Sequence, residues 1–124
     1  MKTLATVPAW LFVLAAAVVS PYKANAAEYG SAPCTVSEVA VFENRIHVRC
    51  TNPQSGTFGP ISFFAVSTGN STNAARFLTI FNSALVENRK LTIQYELFDI
   101  SGQDFGCMAT NCRAARGAFL GPRQ

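Results

Sequence analysis

Three sets of residues in this chain could do chemistry. The first is four cysteines, Cys34, Cys50, Cys107 and Cys112. In an oxidising compartment an even count reads as two disulfides, and four cysteines allow three pairings. Cys107 and Cys112 bound a short segment that can close on itself. Cys34 and Cys50 flank a hairpin-like stretch and would join across its open end. The favoured pairing is therefore Cys34–Cys50 with Cys107–Cys112. Zinc is the rival use of the thiols, but the spacings do not fit a four-thiolate site, and the chain's one histidine has no second imidazole to join it. No metal site and no cofactor are expected.

The second set is Arg45, His47 and Arg49, alternate residues of one segment. His47 could act as a base or as a ligand contact. Without an assignable partner it reads first as a surface strand residue. The third set is carboxylic. Glu96, Asp99 and Asp104 lie close together, and two facing carboxylates are what glycosidic cleavage needs. Seven acidic residues in a domain of this size are more simply explained by solubility. The sequence holds no Gly-x-Ser-x-Gly elbow, phosphate-binding loop or metal-binding helix motif. A catalytic site is accordingly not expected, and the candidate ligand-binding residues are Arg45, His47 and Arg49 together with the polar run Asn70, Ser71 and Thr72.

The elements that must position these groups follow from periodicity. Residues 27–33, with Gly30 and Pro33, read as a loose lead. Residues 35–42 are rich in Val and Phe, a strand composition. Glu43-Asn44 reads as a two-residue turn. In residues 45–50, Ile46, Val48 and Cys50 share one face and Arg45, His47 and Arg49 the other, so the second strand of a hairpin has one wet side. Residues 51–60 hold Gly and Pro and read as a loop. Residues 61–66 are apolar on both sides, as in a covered central strand. Ser71 or Thr72 is placed to cap a helix in which Ala74, Phe77, Leu78, Phe81, Ala84 and Leu85 recur at three- and four-residue steps. Residues 91–97 alternate as a fourth strand. Residues 99–113 read as a loop and 117–121 as a closing strand, while Arg113, Arg116 and Arg123 read as a solvated edge. Three strands, a helix and two strands (β-β-β-α-β-β) is the order of a small OB-type β-barrel, mainly β with one helix and here stapled by disulfides. An α+β sheet is the alternative.

The N-terminus sets the compartment. Lys2, the apolar run 10–19 and Ala24-Asn25-Ala26 form the three parts of a signal peptide, residues 1–26, cleaved before Ala27. The apolar run falls short of the ~20 residues that a membrane span needs, so no span is expected after cleavage. The mature part, 27–124, is a single domain, secreted or periplasmic. The precursor's formal charge of +3 includes Lys2 and Lys23. Without them basic and acidic residues nearly balance, and the clustered cations of a nucleic-acid binder are not expected.

Residues 74–85, the segment Leu91-Thr92-Ile93-Gln94-Tyr95-Glu96, and the later Gly106-Cys107, Asn111-Cys112-Arg113 and Gly117–Leu120 together resemble a pattern in small exported bacterial proteins. Among these are the B subunits of the pertussis-like AB5 toxins, subtilase cytotoxin included. The resemblance covers about half of the mature chain and is one of apolar positions and cysteines. It implies an OB-type barrel, a homo-oligomer in the form of a ring-shaped pentamer, and a cell-surface glycan or protein receptor as partner. The alternative is a periplasmic inhibitor or an envelope-associated structural protein.

Overall fold

The computed structural model describes residues 27–124, so the export signal read at residues 1–26 lies outside the described residues. In chain order the elements are β1 (Tyr29–Cys34), β2 (Val36–Val41), β3 (Arg45–Gln54), β4 (Ile61–Ser67), α1 (Ser71–Val86), β5 (Arg89–Glu96), a 3-10 turn (Ser101–Phe105) and β6 (Cys112–Arg123). The protein is mainly β with one helix. Among the described residues no helix is long and apolar enough to cross a membrane.

The hairpin forms as its sequence requires. Phe42 N–H donates to Arg45 O across the Glu43-Asn44 turn at 2.7 Å. That turn sets the register Val41↔Ile46, Ala40↔His47 and Val39↔Val48. Ile46, Val48 and Cys50 are buried. β4 lies between β3 and β6 and buries Ile61, Phe64, Ala65 and Val66, in keeping with a strand covered on both sides. The helix presents Ala74, Phe77, Phe81 and Ala84 to the core, where they meet Phe64, Leu91, Ile93 and Tyr95. Each large side chain buried there contributes about 1.5–3 kcal/mol. Leu85, expected on the same stripe, is exposed.

Several boundaries differ from the sequence expectation. The lead at 27–33 is not loose. Most of it is β1, which pairs antiparallel with β5 from Tyr29↔Glu96 to Cys34↔Leu91 and buries Ala32 completely. Pro33 is tolerated because β1 is an edge strand, where a missing N–H breaks no ladder. The closing strand is far longer than 117–121. Cys112–Ala114 pairs in parallel with β4, and the chain then passes through a bulge at Arg116 to pair antiparallel with β5. The helix cap is Asn70, not Ser71 or Thr72. Its side chain accepts a hydrogen bond from Asn73 N–H at 3.0 Å, the geometry that favours Asn at this position.

The ladders do not form a closed five-strand barrel. They form an open six-stranded sheet in the order β1-β5-β6-β4-β3-β2. Its two edge strands are consecutive in the chain and separated by Thr35 alone. This junction is fastened to β3. Thr51 N–H donates to Thr35 O at 2.9 Å, and Thr35 N–H donates to Asn52 Oδ1 at 3.0 Å. Asn52 Nδ2 in turn donates to Pro33 O at 2.7 Å, and the Cys34–Cys50 disulfide lies beside these bonds. The second disulfide joins Cys107 to Cys112, so the chain has the favoured pairing and no free thiol.

Candidate functional site

Strand alternation places Arg45, His47 and Arg49 on the outer face of β3, opposite Ile46, Val48 and Cys50. The neighbouring strands supply what the sequence did not assign. The His47 ring lies between Phe42 at 5.0 Å and Phe63 at 5.1 Å, both tilted. The Arg45 guanidinium caps Phe42 at 4.1 Å, and Arg49 reaches over Phe63 at 5.7 Å. The result is a ladder across the β2–β3 turn, β3 and β4, in the order Arg45, Phe42, His47, Phe63, Arg49. Cation–π contacts of this kind hold guanidinium groups in place without neutralising them.

His47 does have a partner. Its Nε2 meets Glu38 Oε1 at 2.9 Å, and the imidazole is only 13% exposed. Glu38 sits diagonally across the β2–β3 ladder from His47 and directly opposite Arg49. A carboxylate in this place fixes the ring orientation. Arg45 and Arg49 make no ion pair among the described residues; Arg49 is exposed and Arg45 half-buried against the Gly106 loop.

Arg45, His47 and Phe63 of the ladder form one wall of a cleft of about 180 Å³, whose other wall is the loop closed by Cys107–Cys112, with Gly106, Met108 and Asn111. Gly106 adopts φ +89°, and a Cβ at this position would lie 2.6 Å from Arg45 Nη1. The left-handed turn favours glycine here, and a side chain would also displace the arginine's tip. Cys112 stands opposite Phe63 in the parallel β4–β6 ladder, which brings the disulfide against the aromatic side of the site.

The remaining sequence candidates lie elsewhere. Asn70 is engaged in capping α1. Ser71 and Thr72 are exposed and line a shallow groove with Arg76 and Thr79 on the outer helix face. No hydrogen bond among the described residues joins this trio to Arg45, His47 or Arg49. The carboxylates are not paired with each other. Arg116, the bulge residue of β6, takes Glu96 Oε1 at 3.3 Å through Nε and Asp99 Oδ2 through Nη2. Asp99 also accepts a hydrogen bond from Ser101 N–H at 2.9 Å. Burial works to raise the Asp99 pKa, but the hydrogen bonds from Ser101 and Arg116 and the Arg116 charge outweigh it, and the net direction is down. Asp104 belongs to the 3-10 turn and makes no ion pair among the described residues. Among the described residues no group of three or more His, Cys, Asp or Glu is placed to hold a metal ion.

The C-terminal arginines are not one solvated edge. Arg116 is in the ion-pair cluster, and Arg113 is 1% exposed. Arg113 donates through Nη1 to Ala109 O at 2.6 Å and Cys112 O at 2.7 Å, and through Nε to Leu97 O at 3.3 Å.

No family model, curated protein or solved structure matches this chain.

Proposed function

We propose that this is an exported, non-catalytic binding domain whose ligand lies on the outer face of β3. The observation that carries this reading is the ladder of Arg45, Phe42, His47, Phe63 and Arg49 beside the cleft of the Cys107–Cys112 loop. It combines aromatic surface with two guanidinium groups outside any ion pair among the described residues, suited to sugar rings and to their polar or anionic substituents. A glycan or receptor ligand, in the manner of a toxin B-like subunit, is the form of the reading that the AB5 resemblance adds.

An OB-type barrel belongs to the same proposal. Residues 29–41 would act as one bent strand serving both sheet edges, with Thr35 at the bend. The parallel β4–β6 pair and a helix between β4 and β5 support that description. In such a barrel the outer face of β3 and β4 is where oligosaccharides dock, an argument from fold analogy. Two disulfides and the N-terminal pattern support a secreted or periplasmic location.

A glycan array probed with the labelled oxidised protein tests the reading. Binding to a defined set of glycans, lost in Arg49→Ala and Phe63→Ala, is the expected result. An empty array, or one unchanged by both substitutions, defeats the glycan form. Light scattering tests the pentamer, and a monomer defeats the toxin-subunit form. The alternative of a periplasmic inhibitor or envelope-associated protein draws on the exposed Phe58, Phe98 and Met108, apolar side chains that a protein partner would cover.

A further inference from the structure

Arg113 is a buried cation without a counter-charge. A guanidinium carries five N–H donors and no acceptor. Three backbone carbonyls take Nε and Nη1, while Nη2 is fully buried and meets no protein acceptor among the described residues. No carboxylate of the chain forms an ion pair with it. Residues 1–26 contain no Asp or Glu, so none can come from there either. Glu96 and Asp99 are the acids on the adjoining segment, and Arg116 holds both. Tyr95 does not supply the charge, because burial pushes its phenol up, against the lowering influence of Arg113. A buried charge left unpaired is costly, and one N–H pair left unmet adds to that cost.

This place is separate from the β3 ladder. In the parallel β4–β6 register Cys112 stands opposite Phe63, on the ladder side, and Arg113 opposite Phe64, on the core side. The Phe58 ring lies against Arg113, its centroid 5.9 Å from Cζ. Phe58 is itself 55% exposed. It stands in the 55–60 loop, which reaches the disulfide loop at Gly59. Gly59 has φ +132°, and a Cβ there would lie 2.7 Å from Thr110 O. A half-exposed ring on a loop has little burial to hold it, so swinging it aside costs little compared with opening the core.

We propose that Arg113 Nη2 anchors a binding site for a small carboxylate, covered by Phe58 and entered when that ring swings away. A carboxylate suits the place on two grounds. It carries a single negative charge, which neutralises the guanidinium without leaving an excess, and its oxygen is an acceptor able to take a strong charge-assisted hydrogen bond from the unmet Nη2. Dianionic phosphate or sulfate would bury an uncompensated negative charge instead.

The test uses the oxidised protein, with acetate replacing chloride at fixed ionic strength and pH 7. The readouts are the Arg113 Nε–Hε resonance, assigned by its loss in Arg113→Met, and the thermal midpoint. Acetate is expected to shift that resonance saturably and to raise the midpoint, while chloride does neither. Phe58→Ala removes the cover and is expected to lower the apparent Kd by up to about tenfold, the gain when an open state of about 10% becomes the only state. Phe58 is a surface loop residue, so this variant keeps the proposal falsifiable should Arg113→Met fail to fold. No acetate-dependent shift at Arg113 in either wild type or Phe58→Ala overturns the site. Weaker acetate binding in Phe58→Ala overturns the role of Phe58 as its cover.

Discussion

Removing the Cys34–Cys50 disulfide should cost more stability than removing Cys107–Cys112, and the difference can be worked out from the structure. A cross-link stabilises chiefly by restricting the unfolded chain, more so as the closed loop lengthens. The first bridge spans a sequence separation of 16 and the second a separation of 5. The chain-entropy relation gives about 3 kcal/mol for the longer loop and about 2 kcal/mol for the shorter at 25 °C. All four cysteines are buried to a similar degree, so the cavity left by Cys→Ala nearly cancels between the two pairs. The longer bridge also fastens the β1–β2 junction to β3, beside the Thr35 and Asn52 hydrogen bonds. Urea unfolding of C34A/C50A and of C107A/C112A, read by tyrosine fluorescence and circular dichroism, measures both. With a slope near 1 kcal/mol per molar urea, the midpoints should differ by about 1 M. Equal loss in the two variants, or greater loss in C107A/C112A, would refute the reasoning that the junction is where the sheet is held together.

Other outcomes follow from single contacts. Asp99 has its pKa lowered in the folded state, so the stability it contributes is present above its unfolded pKa near 3.8 and is lost as pH falls through the folded value. Acid titration of stability should therefore steepen below about pH 4, and Asp99→Asn should flatten that slope. Asn70→Ala removes the α1 cap and should cost about 1 kcal/mol in urea unfolding with no change in binding, whereas a loss of binding would return Asn70 to the ligand site. Gly106→Ala forces a left-handed turn on a Cβ and drives it against Arg45. It should destabilise by about 1–3 kcal/mol and weaken ligand binding, and a neutral result on both counts would show that Arg45 is not seated by that loop.

The hairpin and its wet face were legible because strict alternation and a two-residue turn leave one register. That register also contains Glu38, since the turn puts Ala40 opposite His47 and a long side chain two residues away reaches the imidazole. The aromatic half of the site could not be found in the same way. Phe63 joins His47 only once β4 is known to pair with β3. Gly30 and Pro33 disguised β1, because residues that break a central strand are acceptable on an edge. In the polar run 70–72, Ser71 and Thr72 read as caps and Asn70 as a ligand contact, because composition does not say which polar side chain turns back to the helix N–H groups. From sequence Arg113 reads as a surface residue because arginine is rarely buried, and the carbonyls that receive it come from turns invisible to periodicity.

The central claim is that ligand binds on the outer face of β3. Amide and aromatic chemical-shift mapping with the strongest-binding glycan from the array addresses it directly. The account predicts perturbations confined to Phe42, Arg45, His47, Arg49, Phe63 and the Gly106–Asn111 loop, abolished in Arg45→Ala/Arg49→Ala at an unchanged unfolding midpoint. Perturbations centred on Ser71, Thr72 and Arg76, with the β3 face silent, would contradict it.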